Sequence, residues 1–166
     1  MEKKQNNEKT YNVNDVCDYV INRLNAENND DSLNSLKIQK LLYYIQAWHY
    51  AFFKKPVING TFEAWVHGPV NRTIYDRFKD RMLFFPIDVH DIINTEVDKK
   101  IGSDDKAHID SVLEVYSKYS GVELERMTHQ EKPWINARKD FTPNERCDKP
   151  IDPEIMGAYY KARLNG

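Results

Sequence analysis

The 166-residue sequence lacks most features that would assign it to a specialised class of protein. Its two cysteines, Cys17 and Cys147, lie far apart and form no CxxC pair, so we expect neither a disulfide framework nor a cysteine-based zinc site. No apolar run approaches the ~20 residues that cross a bilayer, and the polar start has no signal-peptide core. These absences favour a reduced cytoplasmic protein that is not inserted in a membrane.

The positions of the glycines and the net charge also argue against binding of nucleotides and of nucleic acids. Gly60 and Gly68 are isolated and form no phosphate-binding loop, so we expect no nucleotide or other cofactor. The 24 basic and 26 acidic residues give a net charge of −2, which does not favour nucleic acid as a partner. Four lysines near the tyrosines of residues 36–55 could contact phosphates, but a solvated helix rim explains the same pattern. These lysines are Lys37, Lys40, Lys54 and Lys55.

Hydrophobic periodicity predicts a mainly α-helical domain organised around one central helix at about residues 36–53. Most of this helix's circumference is apolar or aromatic, which is typical of a helix inside a core, and Asn34 or Ser35 is placed to cap it. Helices are also predicted over residues 13–24, about 70–80, 103–120 and 128–138. A last helix begins at Pro153 with Asp152 as its cap. Residues 81–101 fit no single pattern.

Residues 57–66 predict a small β-hairpin, because Asn59 and Gly60 suit a tight turn with positive φ angles. Residues 1–10 are polar and have the composition of a disordered leader. With no linker or repeat elsewhere, residues 11–166 are predicted to form a single domain.

The residues with catalytic potential do not show the spacing of a known active site. A small metal-dependent hydrolase or nuclease using His67, His129 and Glu131 stays an alternative, but no metal-binding motif joins these side chains. A structural role in starting a helix is a simpler interpretation of these residues than catalysis. Thr128 is placed to cap a helix, and Glu131, three residues later, completes a capping-box pattern.

Aromatic side chains are more informative, since ten tyrosines, seven phenylalanines and three tryptophans occur in a polar chain. Trp48, Trp65 and Trp134 are expected mainly in the core. Some aromatic surface is expected to remain outside the core, and tyrosine and tryptophan are enriched in protein interfaces. We therefore predict partner contacts on the second face of the central helix. These candidates are Tyr43, Tyr44, Tyr50 and Phe53.

Three segments, taken together, resemble the Panacea-domain antitoxin family of phage-associated GepA-like and SocA-like proteins. They are residues 36–52 (LKIQKLLYYIQAWHYAF), 62–70 (FEAWVHGPV) and 128–138 (THQEKPWINAR). The combination of AWVHGP with THxExPWxxAR is more specific than either segment alone.

The resemblance implies a mainly helical domain with a small β element that acts as an antitoxin. It implies neutralisation of a cognate toxin by direct binding, and for SocA-like members delivery of the toxin to a ClpXP-type protease. It transfers no catalytic residues, and it leaves open whether the domain pairs with itself. The matching motif residues are expected to be structural. They are Trp48, Trp65, His67, Gly68, Pro69, Thr128, His129, Glu131, Pro133, Trp134 and Arg138.

Overall fold

The computed structural model describes residues 9–26 and 33–164, where the chain is mainly helical, as predicted. Most of the predicted leader and part of the polar stretch at residues 25–32 lie outside the described residues. The elements in chain order are β1 (Tyr11–Asn12), α1 (Val13–Ala26), α2 (Ser35–Phe53), β2 (Ile58–Asn59), β3 (Glu63–Trp65), β4 (Gly68–Val70), α3 (Arg72–Phe78), α4 (Ser103–Tyr116), α5 (Gly121–His129), α6 (Lys132–Ala137) and α7 (Pro153–Arg163).

Helix α2 is the central element, which confirms the prediction for residues 36–53. Its first turn is capped by Asn34, whose side chain accepts a hydrogen bond from the backbone N–H of Lys37. It ends at Lys54, which has a left-handed backbone conformation (φ 58°) and donates its N–H to the carbonyl of Tyr50. Helices α1, α4, α5 and α7 pack around α2, so almost every face of α2 is buried.

The β-hairpin lies a few residues later than the sequence predicted. Ile58–Asn59 pairs in parallel with Tyr11–Asn12, and the antiparallel hairpin joins β3 to β4 through a turn at Val66 and His67. The Asn59–Gly60 turn prediction was wrong because the backbone before it has other partners. The N–H groups of Val57 and Ile58 donate to Gln46 Oε1, and the Val57 carbonyl accepts from Tyr11.

Two predicted helix boundaries also changed. The helix predicted over residues 103–120 stops at Tyr116, and Gly121 is the first residue of a separate helix, α5. Thr128 lies inside α5 and its hydroxyl donates to the carbonyl of Glu125, so it does not cap α6. The capping residue of α6 is Glu131, without a side-chain cap bond.

Helix α7 starts as predicted, with the Asp152 side chain accepting from the Glu154 N–H and with Pro153 in the first turn. It lies along α2, and a Cβ added at Gly157 would stand 3.3 Å from Tyr50. The two helices therefore approach closely at this glycine. None of the described helices is long and apolar enough to cross a bilayer.

Residues 81–101 form an irregular covering segment with two single 3₁₀ turns, Val89–Asp91 and Val97–Lys99. The buried Asp18 carboxylate of α1 accepts the backbone N–H groups of Ile93 and Asn94 and pairs with Arg77. One carboxylate thus anchors a segment that has no regular backbone pairing of its own.

Candidate functional site

The polar residues of the 36–52 motif are occupied in holding loops against α2. The Gln39 amide donates to the Asn71 carbonyl (3.0 Å) and accepts the Asn71 N–H (2.9 Å). The Gln46 amide accepts the N–H groups of Val57 and Ile58 and donates to the Ile58 carbonyl. Buried amides are stable only when such partners exist, so these glutamines are architectural.

Glu131 is the centre of a buried hydrogen-bond network between α2, α6 and α7. Its Oε1 atom accepts from the hydroxyls of Tyr44 (2.6 Å) and Tyr160 (2.9 Å), and its Oε2 atom pairs with Arg163 (2.7 Å). The Tyr43 hydroxyl contacts that of Tyr160 at 3.2 Å. Burial raises the pKa of Glu131, while the hydroxyl donors and Arg163 oppose that rise. This network ties α7 to the central helix.

Two of the four residues predicted to contact a partner are buried in the structure. Tyr43 and Tyr44 are 1% and 0% exposed, because α7 and α4 cover the face of α2 that carries them, with the Tyr44 ring stacked on Tyr116. Tyr50 is partly buried and lines a cavity of about 380 Å³ between α2 and α7. Phe53 remains 54% exposed. Only the end of this face is therefore open to a partner.

The other two motif segments lock the β3–β4 hairpin to α6. The Trp134 indole N–H donates to the Trp65 carbonyl (2.9 Å), and the guanidinium of Arg138 donates to the Ala64 carbonyl (2.8 Å). Arg138 also reaches the carbonyls of Thr142 (3.0 Å) and Glu145, and lies over the Trp134 ring. AWVHGP and PWxxAR are thus two halves of one structural contact.

The three residues of the hydrolase alternative do not converge. His67 is exposed and its Nδ1 atom lies 2.9 Å from Glu125 Oε1, while the His129 ring stacks on Trp134 with Nε2 3.9 Å from the same oxygen. Glu131 points instead to the tyrosine network. Within residues 9–26 and 33–164, no group of three His, Cys, Asp or Glu side chains is arranged to hold a metal ion.

Lys40 is a buried cation beside the hairpin. The residue is 1% exposed, and its Nζ atom donates to the Pro69 carbonyl at 3.1 Å. Among the described residues, no carboxylate lies within ion-pair distance of this ammonium; Glu125 acts on it only from farther away. Burial therefore lowers the pKa of Lys40 from 10.5 to about 7.

Replacing Lys40 with methionine is expected to remove a pH dependence of stability. Because the pKa of Lys40 is lower in the folded state, folding releases protons between pH 7 and 10.5, and the free energy of unfolding rises with pH in that window. Between pH 7 and 9 the wild type should gain about 2 kcal/mol relative to Lys40→Met. Urea unfolding at the two pH values measures this difference.

The upper limit of pH 9 is chosen because tyrosines of the unfolded chain ionise near pH 10. Lys132→Met is the matched control, since Lys132 is exposed. Identical pH slopes for wild type and Lys40→Met would contradict the buried ammonium.

Glycine is required at position 68 because of its backbone conformation and because neighbouring side chains leave no room for a Cβ atom. Its φ angle is +99°, and an added Cβ would lie 2.5 Å from Lys40 Cε and 2.9 Å from Thr128 Oγ1. We expect Gly68→Ala to lower the free energy of unfolding by about 2 kcal/mol, measured by urea unfolding. Gly102→Ala is the control, because the nearest atom to its Cβ would be 3.4 Å away and its φ is −65°. Equal losses in the two variants would refute this explanation.

A surface groove of about 240 Å³ lies between α2, the hairpin and α3. The rings of Trp65 and Tyr75 meet edge to face at 4.8 Å along it, and Leu83 also lines it. A neighbouring hollow of about 360 Å³ shares Trp65 and Tyr75 with the groove. We call this groove, which is lined by Trp65, Tyr75 and Leu83 among others, the Trp65 groove.

The geometry of the motif segments agrees with the comparison to known families. The profile of the family "Antitoxin SocA-like, Panacea domain" matches residues 38–135, more than half of the chain. The chain belongs to this family. The matched region runs from α2 into α6 and includes the β3–β4 hairpin and Trp134, whereas Arg138 lies three residues beyond it.

One curated relative of this Panacea protein is the Antitoxin SocA of Caulobacter vibrioides (strain NA1000 / CB15N). The two are 39% identical over 49 residues, which cover 30% of this chain and 26% of the relative. The matched region therefore corresponds to about a quarter of the relative's length. No solved structure matches the chain.

Several central residues of the Panacea protein were not singled out from the sequence. Tyr160 and Arg163 complete the Glu131 network from α7, 29 and 32 residues along the chain. Glu125, whose carboxylate lies near both His67 and His129, belongs to no motif that the sequence analysis recognised. Tyr75 lies in the helix predicted at about residues 70–80 and is 43% exposed, but it was not singled out as a surface residue. Lys37 and Lys40 were interpreted as part of a solvated helix rim, and this was wrong, because the two residues are 3% and 1% exposed.

Proposed function

We propose that this Panacea protein is the antitoxin of a toxin–antitoxin pair, that it neutralises its toxin by direct protein–protein contact in the cytoplasm, and that it catalyses no reaction. Membership of an antitoxin family is the observation that carries the proposal. The geometry supports it, because the polar groups of the motif segments are used within the fold. Glu131 bonds to two tyrosines, and Arg138 bonds to backbone carbonyls of the hairpin and of the loop after α6.

Co-expression with the product of the adjacent reading frame tests this proposal. We expect growth arrest when that product is expressed alone, rescue when the Panacea protein is present, and a complex of the two after purification. Failure of rescue together with absence of a complex would refute the proposal for that pair of proteins.

The amount of toxin distinguishes direct neutralisation from delivery to a protease. If binding alone neutralises, the toxin should accumulate at an unchanged level in the rescued cells. If the Panacea protein acts as an adaptor for a ClpXP-type protease, the toxin level should fall and should recover in cells without that protease. The second result would replace our proposed mechanism while leaving the antitoxin role in place.

Two histidine variants separate the antitoxin from the hydrolase alternative. His67→Ala should preserve rescue, because His67 is exposed and its contact with Glu125 lies at the surface. His129→Ala should weaken rescue only as far as it lowers stability, since its ring stacks on Trp134. Loss of rescue by a stably folded His67→Ala variant that still binds the toxin would favour chemistry at this site.

A further inference from the structure

The C-terminal end of α2 is the one place in the described structure where a residue other than glycine has a left-handed backbone. Lys54, which directly follows α2, has a φ of 58° and a ψ of 26°. Glycine is the usual residue at this position after a helix, because a residue with a Cβ atom is strained in this conformation. Strain of this kind is typically retained at functional sites. A lysine in place of glycine therefore costs stability and indicates a role for its side chain.

The Lys54 side chain lines the cavity of about 380 Å³ between α2 and α7, called the α2–α7 cavity below. Lys161 of α7 lines the same cavity, and both lysines are exposed. In the described part of the chain, neither ammonium has a carboxylate within ion-pair distance. Glu154, the one acidic lining residue, is also exposed and pairs with no described cation. Two ammoniums and one carboxylate leave the cavity with an excess of positive charge that is available to a ligand.

Exposed aromatic rings adjoin this cavity. Phe52 and Phe53, which directly precede Lys54, are 53% and 54% exposed. The Trp48 ring packs on Phe52 with ring centroids 5.6 Å apart, and Tyr50 lines the cavity itself. Exposed aromatic side chains next to a concave site are typical of a protein interaction site. The end of α2 therefore combines apolar surface with unpaired positive charge.

We propose that the toxin docks at the α2–α7 cavity and places a carboxylate side chain between Lys54 and Lys161, with flanking apolar residues on Phe52 and Phe53. This inference rests on the proposed antitoxin function and names the docking site and the chemistry of the docked segment. A carboxylate there accepts hydrogen bonds from both ammoniums, and such charge-assisted bonds are stronger than neutral ones. Nucleic-acid phosphates carry the same charge, but the net charge of −2 and Glu154 inside the cavity oppose a polyanion.

Two substitutions of Lys54 separate its backbone strain from the role of its side chain. Lys54→Gly should raise the melting temperature by about 2 °C, because glycine relieves the strained backbone. The same variant should bind the toxin, taken as the product of the adjacent reading frame, about ten-fold more weakly, because the ammonium is lost. Lys54→Arg keeps the charge and the strain and should bind as the wild type does. A Lys54→Gly variant that binds the toxin as tightly as the wild type would refute a role for the side chain.

Charge substitutions on α7 test the sign of the ligand. Lys161→Glu should weaken toxin binding about ten-fold, whereas Glu154→Gln should strengthen it several-fold, because the cavity then carries more positive charge. Lys79→Glu is the matched control and should leave binding unchanged. Lys79 is exposed and lines the Trp65 groove beside the first turns of α2, a helix about 28 Å long with Lys54 at its other end. Weaker binding by Glu154→Gln, or equal effects of Lys79→Glu and Lys161→Glu, would overturn the inference.

A peptide probe tests the cavity without the toxin. In nitrogen-15 NMR spectra of the full chain, the acetylated and amidated peptide Phe-Glu-Phe should shift the amide signals of Gly157 and Ala158, which line the cavity. The uncharged peptide Phe-Gln-Phe should need a several-fold higher concentration for the same shifts. Equal shifts by the two peptides, absence of shifts, or larger shifts by an oligothymidine would contradict a carboxylate site.

The two sets of measurements keep this inference separate from the proposed function. If the wild type binds and neutralises the toxin and the Lys54→Gly and Lys161→Glu variants do so equally well, the toxin docks elsewhere and only this inference fails. If the wild type binds no toxin, the proposed function fails for that pair of proteins, and the peptide measurements decide whether the cavity takes a carboxylate.

Discussion

Replacing Arg138 with methionine is expected to lower the free energy of unfolding by about 3 kcal/mol, because the buried carbonyl of Ala64 loses its charged donor and the loop after α6 loses its anchor. The guanidinium donates to the carbonyls of Ala64, Thr142 and Glu145, which belong to the hairpin and to the loop after α6. The buried Ala64 carbonyl costs about 1–3 kcal/mol when it is left without a partner, whereas Thr142 and Glu145 are exposed residues whose carbonyls can bond to water instead. Methionine fills similar space, so most of the loss comes from hydrogen bonding and not from a cavity. Urea unfolding measures the effect.

Lys139→Met is the matched control for Arg138→Met. It removes one positive charge from the neighbouring residue, which is exposed, and should change stability by less than about 0.5 kcal/mol. Arg138→Lys should fall between the two, because an ammonium keeps the charge but cannot reach carbonyls on both sides as a planar guanidinium does. A loss for Arg138→Met no greater than that for Lys139→Met would show that the loop carbonyls find other donors.

The local features that the sequence predicted correctly depend on neighbouring residues alone. Asn34 and Asp152 cap α2 and α7 through hydrogen bonds to residues two or three positions later. The circumference of α2 was apolar enough to predict its central position. Such features are readable because a helix cap or stripe uses interactions within about two turns of chain.

The features that the sequence did not predict depend on partners far along the chain. The hairpin shifted because Gln46 and Tyr11 occupy the backbone of Val57 and Ile58, so the Asn59–Gly60 turn had no free strand to join. Residues 81–101 follow no period because Asp18, more than 70 residues earlier, provides the acceptor for Ile93 and Asn94. The spacing of residues within one element cannot identify partners that lie so far along the chain.

The candidate site shows the same division. The motif segments were located correctly. The hypothesis that Tyr43 and Tyr44 face a partner rested on the number of aromatic residues and did not consider whether their hydroxyls have hydrogen-bond partners inside the fold. A tyrosine can be buried when its hydroxyl has an acceptor, and Glu131 supplies that acceptor for Tyr44 and Tyr160. Exposed aromatic rings lie elsewhere, at Phe52, Phe53, Tyr75, Phe84 and Phe85. Glu131 therefore decides which aromatic residues belong to the interior.

Glu131→Leu is accordingly expected to lower the free energy of unfolding by about 3–5 kcal/mol, as breaking a buried charged network does. The substitution leaves the buried hydroxyls of Tyr44 and Tyr160 without their acceptor, and it releases Arg163, which is half exposed and loses little. Glu114→Leu, at an exposed position of α4, is the control and should have little effect. Urea unfolding gives both values.

Removing the stranded donors should restore much of that loss. In the triple variant Glu131→Leu, Tyr44→Phe, Tyr160→Phe, the acceptor and both hydroxyls are replaced by apolar groups of similar shape, which leaves the Tyr43 hydroxyl as the one buried hydroxyl of the network without its partner. Replacing both partners of a buried hydrogen bond by apolar groups is often close to neutral. The triple variant should therefore be more stable than Glu131→Leu alone, although each Tyr→Phe change by itself destabilises the wild type. If the three changes simply add, Glu131 acts through its packing, and the hydrogen-bond account of the buried tyrosines is wrong.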